Sequence, residues 1–370
     1  MRTLRPSQKR QNVSEPQVTH ARDVHRVAAE DGVLLRLERY ATPGGKPVLL
    51  LHGWMQSPRG MDSPVMGRSV ARHLHAHGMD VFVGCMRGHG DGLQRSGAAG
   101  HWTPGDHAAL DLPAMVKLIR KVTGRIPALV GHSLGGLVSL MYLAGATSTK
   151  GGTTPHQLAS ARRRRLVSSV TAIAPPLAFP SRSIGLFGDK PDRAGKLVCR
   201  FGASDMGRRL LDRVPTVPLQ QGIRRLTGAP GPVGRVITAG LVKACRGNAA
   251  RGFWRPENMG PDVIAAELTR TLDATSGAEL HQMASWVTQG GLPAEWYEAL
   301  RWVKNPTLII AGEKDGVSTL EGVTTGASMI GGDPRRLMVV EDAGHNDLRV
   351  GVRATTHVYP AVTDWIHKYA

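Results

Sequence analysis

Apolar positions in this chain fall into short continuous runs bounded by glycine or proline, the pattern of strands buried on both faces. VLLRLERY at 33–40, PVLLLHGW at 47–54, DVFVGCMRG at 80–88 and PALVGHS at 127–133 come first. LVSSVTAIAPP at 166–176, PTLIIAGEKD at 306–315 and RLMVVEDAGH at 336–345 repeat the pattern later in the chain. Between the runs the period changes to that of helices. In DHAALDLPAMVKLIRKVTG, Leu112, Met115, Val116 and Ile119 make one stripe, Asp106 opens the segment and Gly124 stops it. Leu134, Leu137, Val138 and Met141 make a second stripe, and Val362, Trp365, Ile366 and Tyr369 a last one. Alternation of buried strands with helices predicts an α/β fold in which a mostly parallel sheet is flanked by helices.

From 177 to 300 this alternation lapses into sequence rich in Gly, Arg and Pro. Helical spacing survives only around Leu280, Met283, Ala284 and Val287 and around Trp296, Leu300 and Val303. The interval reads as a helical cap inserted into a core formed by 24–176 and 301–370. Its aromatic residues Phe179, Phe187, Phe201, Phe253 and Trp254 lie far apart, which argues for a closed pocket over a broad apolar face. Residues 1–23 are polar, basic and aperiodic, as in a disordered tail. STKGGTTPHQLASARRRR at 148–165 reads as a solvated loop.

With 370 residues and an apolar fraction of 41%, the chain can bury a large core. Its 47 basic and 29 acidic residues give a net charge of +18, which favours anionic partners. No nucleic-acid motif or interleaved aromatic platform accompanies that charge, so specific nucleic-acid binding is not expected. The tail and Arg162 to Arg165 instead point to weak association with anionic surfaces. Cys85, Cys199 and Cys245 are too widely spaced for a disulfide framework or a CxxC motif and read as free thiols. No long apolar run follows the basic N-terminus or occurs elsewhere, so the expected compartment is a reducing cytoplasm.

Candidate chemistry centres on GHSLGG at 131–136, a GxSxG pattern lying between a predicted strand and a predicted helix. That context puts Ser133 on a tight turn at the carboxyl edge of the sheet. Gly131 and Gly135 let backbone approach closely, His132 reads as structural, and the Leu134 N–H points to where an oxyanion would form. A second donor is expected from the HG turn in LLLHGWMQSP, where the Trp54 N–H is the candidate and His52 braces the loop. Serine needs a base, and His345, in the loop beyond the last strand, is placed to serve. Asp315, after the penultimate strand, can orient that imidazole, with Glu313 and Asp342 as weaker competitors. His73 and His77 share a helical face but lack further ligands, so no metal and no organic cofactor is expected.

The order Ser133, Asp315, His345 and the elbow around Ser133 resemble the α/β-hydrolase superfamily over roughly 24–370, apart from the cap and the basic loop. Within it, HGWMQSP at 52–58, LDLPAMV at 110–116, ELHQMASWVTQGG at 279–291 and GHNDLRVGVRATTHVYPAVTDWI at 344–366 are similar to the acid-lipase and esterase branch. The resemblance implies hydrolysis of small-molecule carboxylic esters through an acyl-enzyme, with short to medium acyl chains expected from the closed cap. Alternatives are an acyltransferase or thioesterase on the same fold, or a catalytically silent protein that binds anionic surfaces. The sequence leaves the oligomeric state open.

Overall fold

The computed structural model describes residues 23–90, 96–97, 101–184, 192–213, 216, 222–223, 225, 227, 232–247 and 250–370. Ten strands are present among them: β1 (Asp23–Ala28), β2 (Leu34–Tyr40), β3 (Pro47–Leu51), β4 (Asp80–Cys85), β5 (Ala128–His132), β6 (Ala146–Thr149), β7 (Gly152–Pro155), β8 (Val170–Ile173), β9 (Thr307–Gly312) and β10 (Arg335–Val340). Eight form one sheet in the order β1-β2-β4-β3-β5-β8-β9-β10. The β1–β2 and β2–β4 pairs are antiparallel, and every later pair in the sheet is parallel. All seven runs expected to be strands contribute to this sheet.

Side chains divide across the sheet with the strand period of two. Leu49 and Leu51 of β3 join Met115, Ile119 and Leu137 in one core. Val48 and Leu50 join Leu74, Val362 and Ile366 in the core on the opposite face. Each such leucine, fully removed from water, contributes up to about 2 kcal/mol. The first core lies under the helices Leu112–Thr123 and Leu134–Leu143, the second under Val70–Ala76 and Tyr359–Tyr369. Gly124 ends the first of these helices in the left-handed conformation at φ 70°, as its position in the sequence predicts.

One expectation fails. The loop expected over 148–165 is a β6–β7 hairpin followed by the helix Gln157–Arg163. Its sequence is too poor in apolar residues to announce either element. Within it, Arg163 turns inward: Nη1 donates to the carbonyls of Tyr142 and Ala146, and the guanidinium lies 4.7 Å from the Tyr142 ring centroid. Arg162, Arg164 and Arg165 remain exposed. The tail expected over 1–23 lies outside the described residues except Asp23, which opens β1. This edge strand was hidden because its residues alternate between exposed and half-buried, so DVHRVA shows no apolar run.

Between β8 and β9 the described elements are helices: Arg193–Ala203, Asp205–Leu211, Pro232–Cys245, Pro261–Ala266, Gly277–Gln289 and Ala294–Leu300. All three cysteines are free thiols. Among the described residues, no helix is long and apolar enough to cross a membrane.

Candidate active site

The carboxyl ends of β3, β5, β9 and β10 meet around Ser133. β5 stops at His132 and a helix starts at Leu134, so the chain reverses within one residue; Ser133 takes φ 53° and ψ −121°, a costly conformation for a side-chain-bearing residue. The surroundings enforce it. Ser133 N–H donates to the Ile173 carbonyl at 2.7 Å, and the Ser133 carbonyl accepts from Gly136 and Leu137. A Cβ on Gly131 would fall 2.3 Å from the Gly135 carbonyl carbon, and one on Gly135 would fall 2.5 Å from the Leu51 carbonyl oxygen. Only glycines allow this approach of strand, helix and HG turn.

Ser133 is 7% exposed and His345 4%. Both line a cavity of about 440 Å³ whose walls include Phe179, Val198, Phe201, Leu210, Met283 and Val287. His345 Nδ1 lies 2.7 Å from Asp315 Oδ2. The other oxygen, Oδ1, accepts from the Val317 and Ser318 N–H groups, both at 2.8 Å, so the carboxylate cannot turn freely. Glu313 is exposed and accepts from the Asp342 N–H, while Asp342 lies 3.7 Å from Arg255. Neither competitor is bonded to His345.

Across the cavity, a Cβ on Gly53 would stand 3.1 Å from Ser133 Cβ, so the HG turn lies directly against the nucleophile candidate. Among the described residues, neither the Trp54 nor the Leu134 N–H has a hydrogen-bond acceptor. His52 Nδ1–H donates to the Gly53 carbonyl at 3.0 Å and its Nε2 accepts from the Met86 N–H at 3.2 Å. Both nitrogens are thus used in bracing, and burial pushes this imidazole well below its ordinary range, keeping it neutral. Burial does the same to His132, whose Nε2 lies 3.1 Å from the His345 carbonyl. His73 and His77 stack at 4.2 Å, and no cluster able to hold a metal ion occurs among the described residues.

Sequence reasoning missed two braces on the HG turn. Gln56 Oε1 accepts from the Gly53 N–H at 3.0 Å, and its Nε2 donates to Asn346 Oδ1 at 3.2 Å, tying the turn to the residue after His345. The QS pair in HGWMQSP was the available sign. The Trp54 indole lines the cavity, and Nε1–H donates to Thr275 Oγ1 at 2.9 Å. Nothing in the sequence pairs residues so far apart.

A family model for the α/β-hydrolase fold matches residues 46–351, and the chain belongs to this family. Over 123 residues it is 37% identical to Lipase 1 of Drosophila melanogaster, a match covering 30% of this chain and 27% of that protein. Over 190 residues it is 28% identical to Triacylglycerol lipase 2 of Arabidopsis thaliana, covering 45% and 40%. The chain thus spans less than half the length of these curated relatives. Among solved structures, a monoacylglycerol lipase of Paleococcus ferrophilus has 17% identity and a TM-score of 0.56 over 91% of this chain and 99% of the other. An esterase from Exiguobacterium antarcticum has 17% identity and a TM-score of 0.54 over 92% and 98%. At that identity the structural likeness speaks to the fold.

Proposed function

We propose that the chain is a serine hydrolase cleaving carboxylic esters through an acyl-enzyme. The observation that carries this reading is the convergence on one cavity of Ser133, on its strained turn, and His345, with Nδ1 held 2.7 Å from Asp315. In this reading His345 Nε2 takes the Ser133 proton as Oγ attacks the ester carbonyl. The N–H groups of Trp54 and Leu134 receive the charge on the carbonyl oxygen. His345 returns the proton to the leaving alcohol, and water, activated by the same imidazole, then releases the acid and restores Ser133. Small esters are the substrate partners, and every group the chemistry needs is supplied by the chain. A fluorophosphonate probe tests this: stoichiometric labelling at Ser133, with ester turnover lost on labelling, is expected. An unlabelled Ser133 in folded, ester-cleaving protein removes the reading. Acyltransferase and thioesterase action on the same site separate from hydrolysis by offering alcohol, thiol and water as competing acceptors.

The helices of 177–300 act as the cap in this reading, since residues of this interval form much of the cavity wall. Burial of each acyl methylene contributes up to about 0.8 kcal/mol, or about fourfold in kcat/KM, until the cavity is full. With p-nitrophenyl esters, efficiency is therefore expected to peak at short to medium acyl chains and then fall.

One observation favours a second reading, lipase action at a lipid surface. Leu197, Val198, Phe201, Met206 and Leu210 are 70%, 57%, 51%, 67% and 47% exposed, an apolar set on two adjoining cap helices. The scattered cap aromatics did not foretell it, because Leu, Val and Met make up most of the set; Phe187 lies outside the described residues. A steady rise in activity to the longest acyl chains, with activation by an oil–water interface, establishes this second reading over the first.

Weak association with anionic surfaces belongs to the same proposal. Arg162, Arg164 and Arg165 supply exposed charge. Replacing all three by Gln is expected to weaken salt-sensitive pelleting with vesicles containing phosphatidylserine while leaving turnover of a small soluble ester unchanged. Equal pelleting by the substituted protein reduces these residues to solubilising charge.

A further inference from the structure

A chain of charged and polar groups runs from the exposed Asp31 through buried residues to the Trp54 indole. Arg87 Nη1 lies 2.6 Å from Asp31 Oδ2, and its Nε donates to Asp111 Oδ1 at 2.8 Å. Asp111 Oδ2 lies 2.9 Å from His107 Nδ1, and His107 Nε2 lies 3.3 Å from Glu279 Oε1. Glu279 Oε2 accepts from Thr275 Oγ1 at 2.8 Å. Thr275 in turn accepts from Trp54 Nε1–H at 2.9 Å. Thr275 has one hydroxyl proton, and the Glu279 oxygen is nearer than the alternative Ser276 carbonyl at 3.4 Å. His107, Asp111, Thr275 and Glu279 are all fully buried.

We propose that Glu279, acting through Thr275, is a positioning residue that fixes the Trp54 indole and thereby aims the Trp54 N–H into the oxyanion site. The inference rests on the reading of Trp54 as an oxyanion donor.

Three features of the network support it. Glu279 sits in the first turn of the helix Gly277–Gln289, where its N–H is capped by Ser276 Oγ at 3.0 Å. The same helix carries Met283 and Val287 into the cavity wall, so the carboxylate locks that wall and the HG turn to one point. The turn is also strapped along its backbone: Asp273 N–H donates to the Met55 carbonyl at 2.8 Å and Ser57 N–H to the Thr271 carbonyl at 2.7 Å. Without the Thr275 bond, the indole N–H of the half-buried Trp54 would lose its acceptor, at a cost that favours turning the ring.

Both ring nitrogens of His107 face carboxylates, so both must donate and the ring must be charged. Burial alone would lower its pKa, but the hydrogen bonds and charges of Asp111 and Glu279 outweigh burial and push it up to about 9. Asp111 faces the ring from its own segment, Glu279 from the helix Gly277–Gln289, and the His89 ring from the loop after β4 at 5.8 Å, with Arg87 behind Asp111. Above that pH the ring keeps one N–H for two carboxylates, and Glu279 loses its anchor.

The test uses the full chain and p-nitrophenyl acetate, with blank-corrected kcat and KM measured from pH 6 to 10. Thr275→Val keeps the shape and removes the hydroxyl; it is expected to lower kcat about 10- to 100-fold with KM changed less than about threefold. Glu279→Ala should behave alike, and Glu279→Gln, which keeps an acceptor for Thr275, should recover most of that loss. Wild type should lose kcat as pH rises through about 9, and Glu279→Gln, which can accept from or donate to a neutral His107, should show a flatter limb. If Thr275→Val does not fold, Trp54→Phe removes the same bond from the other side and should show the same kcat loss. The Thr275→Val/Trp54→Phe double variant should lose no more than about twofold beyond either single change, because both delete one interaction. Folded Thr275→Val or Trp54→Phe with kcat within about twofold of wild type overturns the proposal. Loss expressed only in KM, or an additive double variant, does the same. If Ser133 is still labelled by fluorophosphonate in those cases, the hydrolase reading stands without the positioning role; if wild type neither labels nor cleaves esters, both fall.

Discussion

Ser133→Ala is expected to lower ester turnover by roughly four to six orders of magnitude, and His345→Ala by a similar factor, with folding intact. Neither side chain carries a core. Removing both together should cost little more than removing one, because nucleophile and base act as a unit. Asp315→Asn is expected to lose somewhat less, and the hydrogen bonds say how. Oδ1 accepts from the Val317 and Ser318 N–H groups, so that position must remain an oxygen. The new amide nitrogen therefore takes the place of Oδ2 and directs one N–H at His345 Nδ1, which Asp315 now holds at 2.7 Å. Nδ1 must then accept, which moves the ring proton to Nε2, the wrong tautomer for taking the serine proton. Single-turnover kinetics at equal protein concentration, with circular dichroism and chemical denaturation to verify folding, measure all three. Ser133→Ala retaining more than about a hundredth of wild-type turnover, with contaminating esterases excluded, rejects the assigned chemistry.

The sheet and the three candidate groups were legible because each is written locally. β5 and its elbow lie in PALVGHSLGG, where an apolar run meets a GxSxG pattern and a helical stripe begins. Asp315 and His345 follow directly on the runs that become β9 and β10. What could not be read is whatever depends on pairing distant polar residues. Asp31, Arg87, His107 and Glu279 each look like ordinary solvated charge in sequence. The fold alone puts Arg87 against Asp31 and Asp111, and His107 against Glu279, at hydrogen-bonding distances. The same holds for Arg163, read as one of four surface arginines until the Tyr142 and Ala146 carbonyls drew it inward. Edge strand β1 escaped for the opposite reason: it is stabilised by pairing with β2 and needs few apolar residues to form.

Gly131→Ala is expected to be among the most damaging single-methyl additions in the core, although alanine is ordinarily at home in a strand end. Its Cβ would fall 2.3 Å from both the carbonyl carbon and the oxygen of Gly135, and 2.4 Å from the Gly136 nitrogen. These are backbone atoms of the helix that starts at Leu134, so no rotamer change can relieve the clash. The helix must move off β5. That helix is buried along its whole length, and its Leu137 packs in the core with Leu49 and Leu51, so a shift opens contacts across a sheet face. The expected cost exceeds about 4 kcal/mol, the range reached only by gross misfit in the interior. Displacement of Leu134 and Ser133 should also slow fluorophosphonate labelling at least about a hundredfold in whatever protein folds. Gly124→Ala is the matched control: Gly124 has φ 70° but nothing within 4 Å of its Cβ position, so only backbone strain of about 1 kcal/mol is added. Chemical denaturation of the two variants beside wild type measures the difference. If Gly131→Ala costs no more than Gly124→Ala and labels at the wild-type rate, the close helix–strand approach is not what shapes the turn at Ser133.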